Sequence, residues 1–358
     1  MKKFMVECAQ EAPQVCQKVY QNKDENVGKL VELFLAKDYK GIVLVGSGSS
    51  YNIAASAKYA IEKYLKTEVK IYTPVSFEYY DYKHSVDHLV IFMSQSGRST
   101  NTVNALNVAK ANNYDIASLT MVVNNPLAKV SENAFYYGSW TDEADSYVCR
   151  GFSASALYLI LFALEAGVKK ATITKDEYKA AHKELNAILK NMTSVHEAVE
   201  KFYGIHKNEL YNIRRAMTLG IGPTYATALE SCLKFSETTG IATNGYELEE
   251  FLHGPAYEVK KDHAVFIIDV DEKLHERAMK IYEASKELTD KVYVVTCFDN
   301  YVGNRVIKLS EKFDPVLMPL ITVIPFQLIP GHICEDLNIR AVTICNYRAS
   351  QIAKSKLN

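Results

Sequence analysis

Residues 41–65, GIVLVGSGSSYNIAASAKYAIEKYL, join a short apolar run of β type to a segment of helical period through a Gly/Ser turn. VDHLVIFMSQSGRSTNTVNALNVAKANN repeats this plan from residue 86, and DIASLTMVV then adds an apolar run closed by Asn124-Asn125-Pro126. Strands that alternate with helices require crossover connections. That predicts a parallel sheet covered on both faces, an α/β fold. RRAMTLGIGPTYATALESCLKFSE (214–237) repeats the strand, Gly turn and helix once more, and HAVFIIDV and KVYVVTC supply further strands. The chain reads as two copies of one αβ plan, although doubly wound domains also share this pattern through physics alone.

Between the copies, residues 174–207 open with a Thr174-x-x-Glu177 capping box and carry apolar residues at helical intervals, with no glycine before Gly204. The expected organisation is an N-terminal helical segment (1–28), a first αβ domain (29–173), a connecting helix (174–207), a second αβ domain (208–346) and a tail (347–358). A length of 358 residues suits two cores.

The formal charge of -1, with no block of like charges, offers no field for nucleic acid or an acidic membrane, so a small-molecule partner is expected. Seven cysteines lie scattered without a C-x-x-C pair, and MKKFMVECAQEAPQ has no signal-like apolar stretch, which together predict a cytoplasmic protein. Val316–Ile333 is broken by Pro319, Pro325 and Pro330 and contains Gln327, so no membrane span is expected there.

Ser94-Gln95-Ser96-Gly97-Arg98-Ser99-Thr100 follows the run LVIFM and opens a helix. Hydroxyls and unsatisfied N–H groups at a helix N-terminus favour a phosphate, and Ser94, Gln95, Ser96 and Ser99 are the candidate ligands. Ser50, closing the neighbouring turn Gly46–Ser50, is placed to join them, because adjacent turns converge at the C-terminal edge of a parallel sheet. Any one of these hydroxyls would equally serve as a helix cap. No third glycine completes a dinucleotide fingerprint, since position 51 is Tyr.

In the second copy, Glu230, Lys234 and Glu237 fall on one helical face, either as working groups or as a solvated, ion-paired surface. Twelve residues beyond Glu237 begins Glu249-Glu250-Phe251-Leu252-His253-Gly254-Pro255, which holds a histidine in a Gly-Pro turn. A carboxylate and a histidine suit proton transfer and ring opening on a sugar.

These segments resemble a known family. SQSG before a Ser/Thr-bearing helix, the earlier GSGSSYN turn, and an ALE-x-x-LK-x-x-E helix followed by HGP are similar to the SIS (sugar isomerase) fold. The resemblance is nearest to the isomerase half of glucosamine-6-phosphate synthase and to the fructosamine-6-phosphate deglycases. It implies two SIS domains, each a parallel sheet between helix layers (three-layer αβα, flavodoxin-like), and an enzyme acting on a sugar phosphate without cofactor or metal. Glu237 would shuttle the proton, His253 would open the ring, and Lys354 in the tail would contact the open-chain sugar. Ser49, Val148, Glu230 and Lys234 would support the substrate. A homodimer or larger assembly with a shared active site is also implied.

His84 and His88 have metal-like spacing without a third ligand, and Tyr79, Tyr80 and Tyr82 read as residues that pack a loop. The segment Asp145–Ser153 departs from the Ala/Thr/Lys-rich sequence of the synthases, which places the difference at the substrate's distal end. Nothing in the sequence supplies the synthase's glutamine-cleaving part. The expected activity is therefore deglycation of a fructosamine (ketoamine) 6-phosphate to a hexose 6-phosphate and free amine. An aldose–ketose isomerase or deaminase of an amino-sugar 6-phosphate is the alternative, and a sugar-phosphate-binding regulator the lesser one.

Overall fold

The computed structural model describes residues 5–137, 147–339 and 352–357. They form two compact units, one from Glu11–Lys183 with the C-terminal segment and one from the first helix with Glu184–Cys345. The first unit holds strands β1 (Gly41–Val45), β2 (Glu68–Tyr72), β3 (His88–Met93), β4 (Ile116–Thr120) and β5 (Ala134–Tyr136). They pair in parallel in the order β2-β1-β3-β4-β5. The second unit holds β6 (Arg215–Gly220), β7 (Ala242–Glu247), β8 (His263–Asp269), β9 (Val292–Thr296) and β10 (Val306–Lys308). Their parallel order, β7-β6-β8-β9-β10, is the same topology again.

Central strands β1, β3, β4 and β9 are buried at every residue, as a sheet sandwiched between helix layers requires, and the edge strand β2 is partly exposed. The duplication extends to backbone detail. Gly48 (φ 55°, ψ -130°) and Gly222 (φ 54°, ψ -123°) end the two equivalent turns, and each introduces a helix of 17 residues, Ser49–Leu65 and Pro223–Thr239.

The 36-residue helix Lys175–Leu210 carries the chain from the first unit into the second. Its capping box is formed: Glu177 N–H donates to Thr174 Oγ1 (3.1 Å) and Thr174 N–H to Glu177 Oε2 (2.7 Å). The first 28 residues divide where the sequence alone suggests one segment. Pro13 near the start of helix Ala12–Gln21 cannot continue the helix before it, so Met5–Gln10 packs separately on Ile324–Asp336 of the second unit.

Helix Arg150–Lys170 is the described helix long and apolar enough to cross a membrane, yet 89% of its apolar window is buried inside the protein. It packs against Ala12–Gln21, Lys23–Leu35 and Ser49–Leu65. Glu165 sits on this apolar helix because it is compensated: Tyr178 Oη donates to it at 2.7 Å, and Lys23 Nζ and His182 Nε2 lie 3.4 Å away. Burial pushes its carboxyl up, but His182, Tyr178 and Lys23 outweigh that and lower it from 4.5 to about 2. A depressed carboxylate contributes stability above its unfolded pKa and loses it as pH falls through the folded one. Glu165→Gln should therefore cost on the order of 2 kcal/mol at neutral pH. In urea titrations that difference should fade between pH 4.5 and about 2.

Candidate active site

The Ser94–Thr100 loop, the candidate anion site, lies at the C-terminal edge of the first sheet, where β1 and β3 neighbour each other and the strand order reverses. Ser94 and Gln95 are buried, Ser96 and Ser99 half-buried, and Ser94 Oγ donates to Ser99 Oγ at 3.3 Å. Among the described residues, the N–H groups of Ser96 and Ser99 make no hydrogen bond, which leaves both as donors. Buried Ser49 and Ser50 open the neighbouring helix, and Asn101 Nδ2 donates to Ser47 Oγ at 3.0 Å, tying that turn to helix Thr100–Ala111. The expected serines are thus gathered at one sheet edge. Asn101 was not foreseen from sequence, since an amide one turn into a helix carries no local signature.

Gly97 sets the shape of the loop. Its φ is +64°, and a Cβ there would lie 1.8 Å from Asn125 Oδ1. Asn125 cannot yield easily, because it caps helix Pro126–Val130 through Ala128 N–H (2.9 Å) and donates to Val122 O (2.6 Å). Gly97→Ala should cost about 1–3 kcal/mol of local strain. The urea midpoint of the variant, set beside that of the wild type, measures this loss.

The tail closes on the same loop. Lys356 forms a β-bridge with Ser99, and Thr100 N–H donates to Ser355 O at 3.1 Å. Lys354 is exposed, its carbonyl accepting from Thr100 Oγ1 at 3.2 Å. Val148, half-buried, lies two residues before helix Arg150–Lys170, whereas Asp145 and Ser146 lie outside the described residues. Buried Arg150 pairs with Glu11 in the same unit.

In the second unit, Glu230 and Lys234 are wholly buried, Lys234 Nζ lying 3.3 Å from Glu230 Oε1 and donating to Glu237, which remains partly exposed. The solvated-face alternative is thereby overturned for Glu230 and Lys234. Helix Pro223–Thr239 packs against β6, β7 and helix Ile324–Asp336, while Glu237, in its last turn, stays partly exposed. His253 is exposed on a loop whose backbone is braced. Phe251 is buried in the core, Glu247 Oε2 accepts the N–H groups of Glu249 (2.8 Å) and Glu250 (3.1 Å), and Arg277 grips Glu249. Tyr79 and Tyr80, expected to pack a loop, are instead 66% and 76% exposed, and only Tyr82 joins the core. The short helical turns of residues 74–84 direct Phe77 inward in their place.

The second sheet does not repeat the anion loop. Counting from the paired residues Gly41↔His88 and Arg215↔His263, Asp269 falls where the first sheet has Ser94. Asp269 is 2% exposed and is held by His275 Nδ1 (2.6 Å) and Tyr301 Oη (2.7 Å). A carboxylate there repels phosphate, and Pro223 removes an N–H donor from the helix start. The remaining cavity is about 10 Å³, barely one water's room.

Two parallel sheets of one strand order, the first closed at its switch point by a loop of hydroxyls at a helix N-terminus, define a duplicated, doubly wound α/β protein. The chain belongs to the SIS domain family, whose model matches residues 36–170 and 209–302, once on each sheet. It is 26% identical over 306 residues to the glutamine–fructose-6-phosphate aminotransferase [isomerizing] of Bacteroides thetaiotaomicron, covering 84% of this chain and 49% of that protein. The chain spans about half the length of the curated relatives it matches. Among solved structures, a Clostridium difficile 630 protein provisionally assigned as a phosphosugar isomerase shares the fold with a TM-score of 0.90 at 23% identity, over 99% of both chains. The C-terminal domain of glucosamine-fructose-6-phosphate aminotransferase from Francisella tularensis does so with a TM-score of 0.81 at 23% identity, over 94% of this chain and 96% of that one.

Proposed function

We propose that the protein is an enzyme that binds a 6-phosphorylated sugar through Ser50, Ser94, Gln95, Ser96 and Ser99 and uses Glu237 to move a proton between C1 and C2 of the open chain. Its reaction is the removal of an amine from a ketoamine 6-phosphate. Glu237 takes a proton from C1, and the resulting enaminol is protonated at C2. That leaves a C1 imine, which water hydrolyses to an aldose 6-phosphate and the free amine. The observation that carries this reading is the Glu230–Lys234–Glu237 set: two buried charges with no packing need are spent on holding one half-exposed carboxylate in place. His253, on its braced but exposed loop, is the proposed ring-opening group.

A second reading, isomerisation or deamination of a hexosamine 6-phosphate, is favoured by the docked Lys354 segment, since a primary amine suits a ketose carbonyl. The similar aminotransferase of Bacteroides thetaiotaomicron supports it by name. The exposed loop bearing Leu252, His253 and Tyr257, the last 92% exposed, also supports assembly with a second copy.

Incubation with fructosamine 6-phosphates and with glucosamine 6-phosphate, assayed separately for free amine, ammonia and ketose phosphate, distinguishes these readings. Amine release with an aldose 6-phosphate is the expected result. Ammonia or ketose formed from glucosamine 6-phosphate would replace it with the second reading, and binding without turnover would make the protein a sugar-phosphate sensor.

A further inference from the structure

The C-terminal segment is fastened to the Ser94–Thr100 loop at two points, Arg98 and Thr100. Arg98 uses its carbonyl to accept Leu357 N–H at 2.8 Å and its Nε to donate to Leu357 O at 2.8 Å, so backbone and side chain grip the same residue from both sides. Leu357 in turn packs against the apolar cluster of Val43, Phe92 and Leu106. Thr100 holds the other end of the segment, through Ser355 and Lys354. At the Thr100 tie Lys354 adopts φ +40°, a left-handed conformation that a lysine does not choose unless its neighbours impose it. A chain terminus is ordinarily mobile unless tied down. Here the ties are to Arg98, Ser99 and Thr100, residues of the loop itself.

We infer that Arg98 is a positioning residue for Lys354: by clasping Leu357 it fixes the segment on the anion loop and thereby sets where the Lys354 amine meets the bound sugar. This rests on the proposed reading of the loop as the sugar-phosphate site and of Lys354 as the group that meets the sugar carbonyl. Arg98 is itself exposed and its Nε is engaged by the tail, so its contribution is to geometry while the serines and helix N-terminus take the anion. Anion binding and amine placement then share one short stretch, 98–100. A ligand that orders the loop also orders the tail.

The test compares the wild type with Arg98→Ala and Arg98→Lys in three measurements. Hydrogen exchange of residues 352–357 without ligand reports the clasp. Calorimetry with fructose 6-phosphate reports the anion site. Borohydride trapping reports placement: Lys354 Nζ adds to the C2 carbonyl, water leaves to give an imine, and hydride from the borohydride reduces it to a secondary amine that mass spectrometry locates.

In Arg98→Ala, exchange of the segment should accelerate and trapping at Lys354 should fall by about tenfold or more, with fructose 6-phosphate affinity within about threefold of wild type. Arg98→Lys, which keeps the charge but not the planar Nε donor, should behave more like Ala than like Arg. Unchanged exchange and trapping in Arg98→Ala would overturn the assignment. So would a tenfold or greater loss of affinity with trapping intact at saturation, because Arg98 would then be an anion contact. A wild-type protein that neither binds fructose 6-phosphate nor is trapped at Lys354 would sink the reading of the site itself, whatever the Arg98 variants do.

Discussion

Glu237→Gln should lower turnover by about 10²- to 10⁴-fold while leaving sugar-phosphate affinity within about threefold. The substitution removes little volume, and the glutamine carbonyl still accepts a hydrogen bond from Lys234, so the helix face is preserved. What is lost is the ability to accept a proton at C1. Single-turnover kinetics beside calorimetry separate the two effects. A variant that turns over normally would remove Glu237 from the mechanism, and one that no longer binds would make it a substrate-holding group.

Lys234→Met should be the most damaging single change to stability, at about 3–5 kcal/mol. Lys234 is wholly buried, and its ammonium lies 3.3 Å from an equally buried Glu230, so the variant removes the positive charge that balances a carboxylate in the core. Combining it with Glu230→Leu should recover much of the loss, because replacing a buried ion pair by apolar groups is often close to neutral. The urea midpoints of the two single variants and the double variant measure this. If Lys234→Met alone cost under about 1 kcal/mol, the pair would behave as a surface salt bridge and the packed site would not exist in solution.

The parts legible in the sequence are those in which chemistry and geometry are local. Ser94 to Thr100 is one turn between a buried strand and a helix, so its hydroxyls and N–H groups converge whatever the rest of the chain does. The capping box at Thr174 is legible for the same reason. Periodicity placed Glu230, Lys234 and Glu237 on one face, but whether that face meets water or core depends on β6, β7 and helix Ile324–Asp336. Those contacts leave no mark within the helix itself.

Main-chain pairing is less legible still. Nothing in the side chains of Arg98 or Leu357 announces that two residues so far apart in the chain exchange hydrogen bonds. Asn125 shows the intermediate case. Asn-Asn-Pro marks a turn, but the reason Gly97 must lack a side chain appears only when that amide stands behind it.

The substitution of Asp269 for a loop serine has an evolutionary and practical reach beyond local chemistry. Once one copy of a repeated fold can no longer hold an anion, the copies cease to be interchangeable and selection acts on them separately. On the proposed reading one sheet keeps the handle and the other keeps the base. Neither half could then be discarded as redundant, and saturation would require one ligand per chain despite two nearly identical scaffolds.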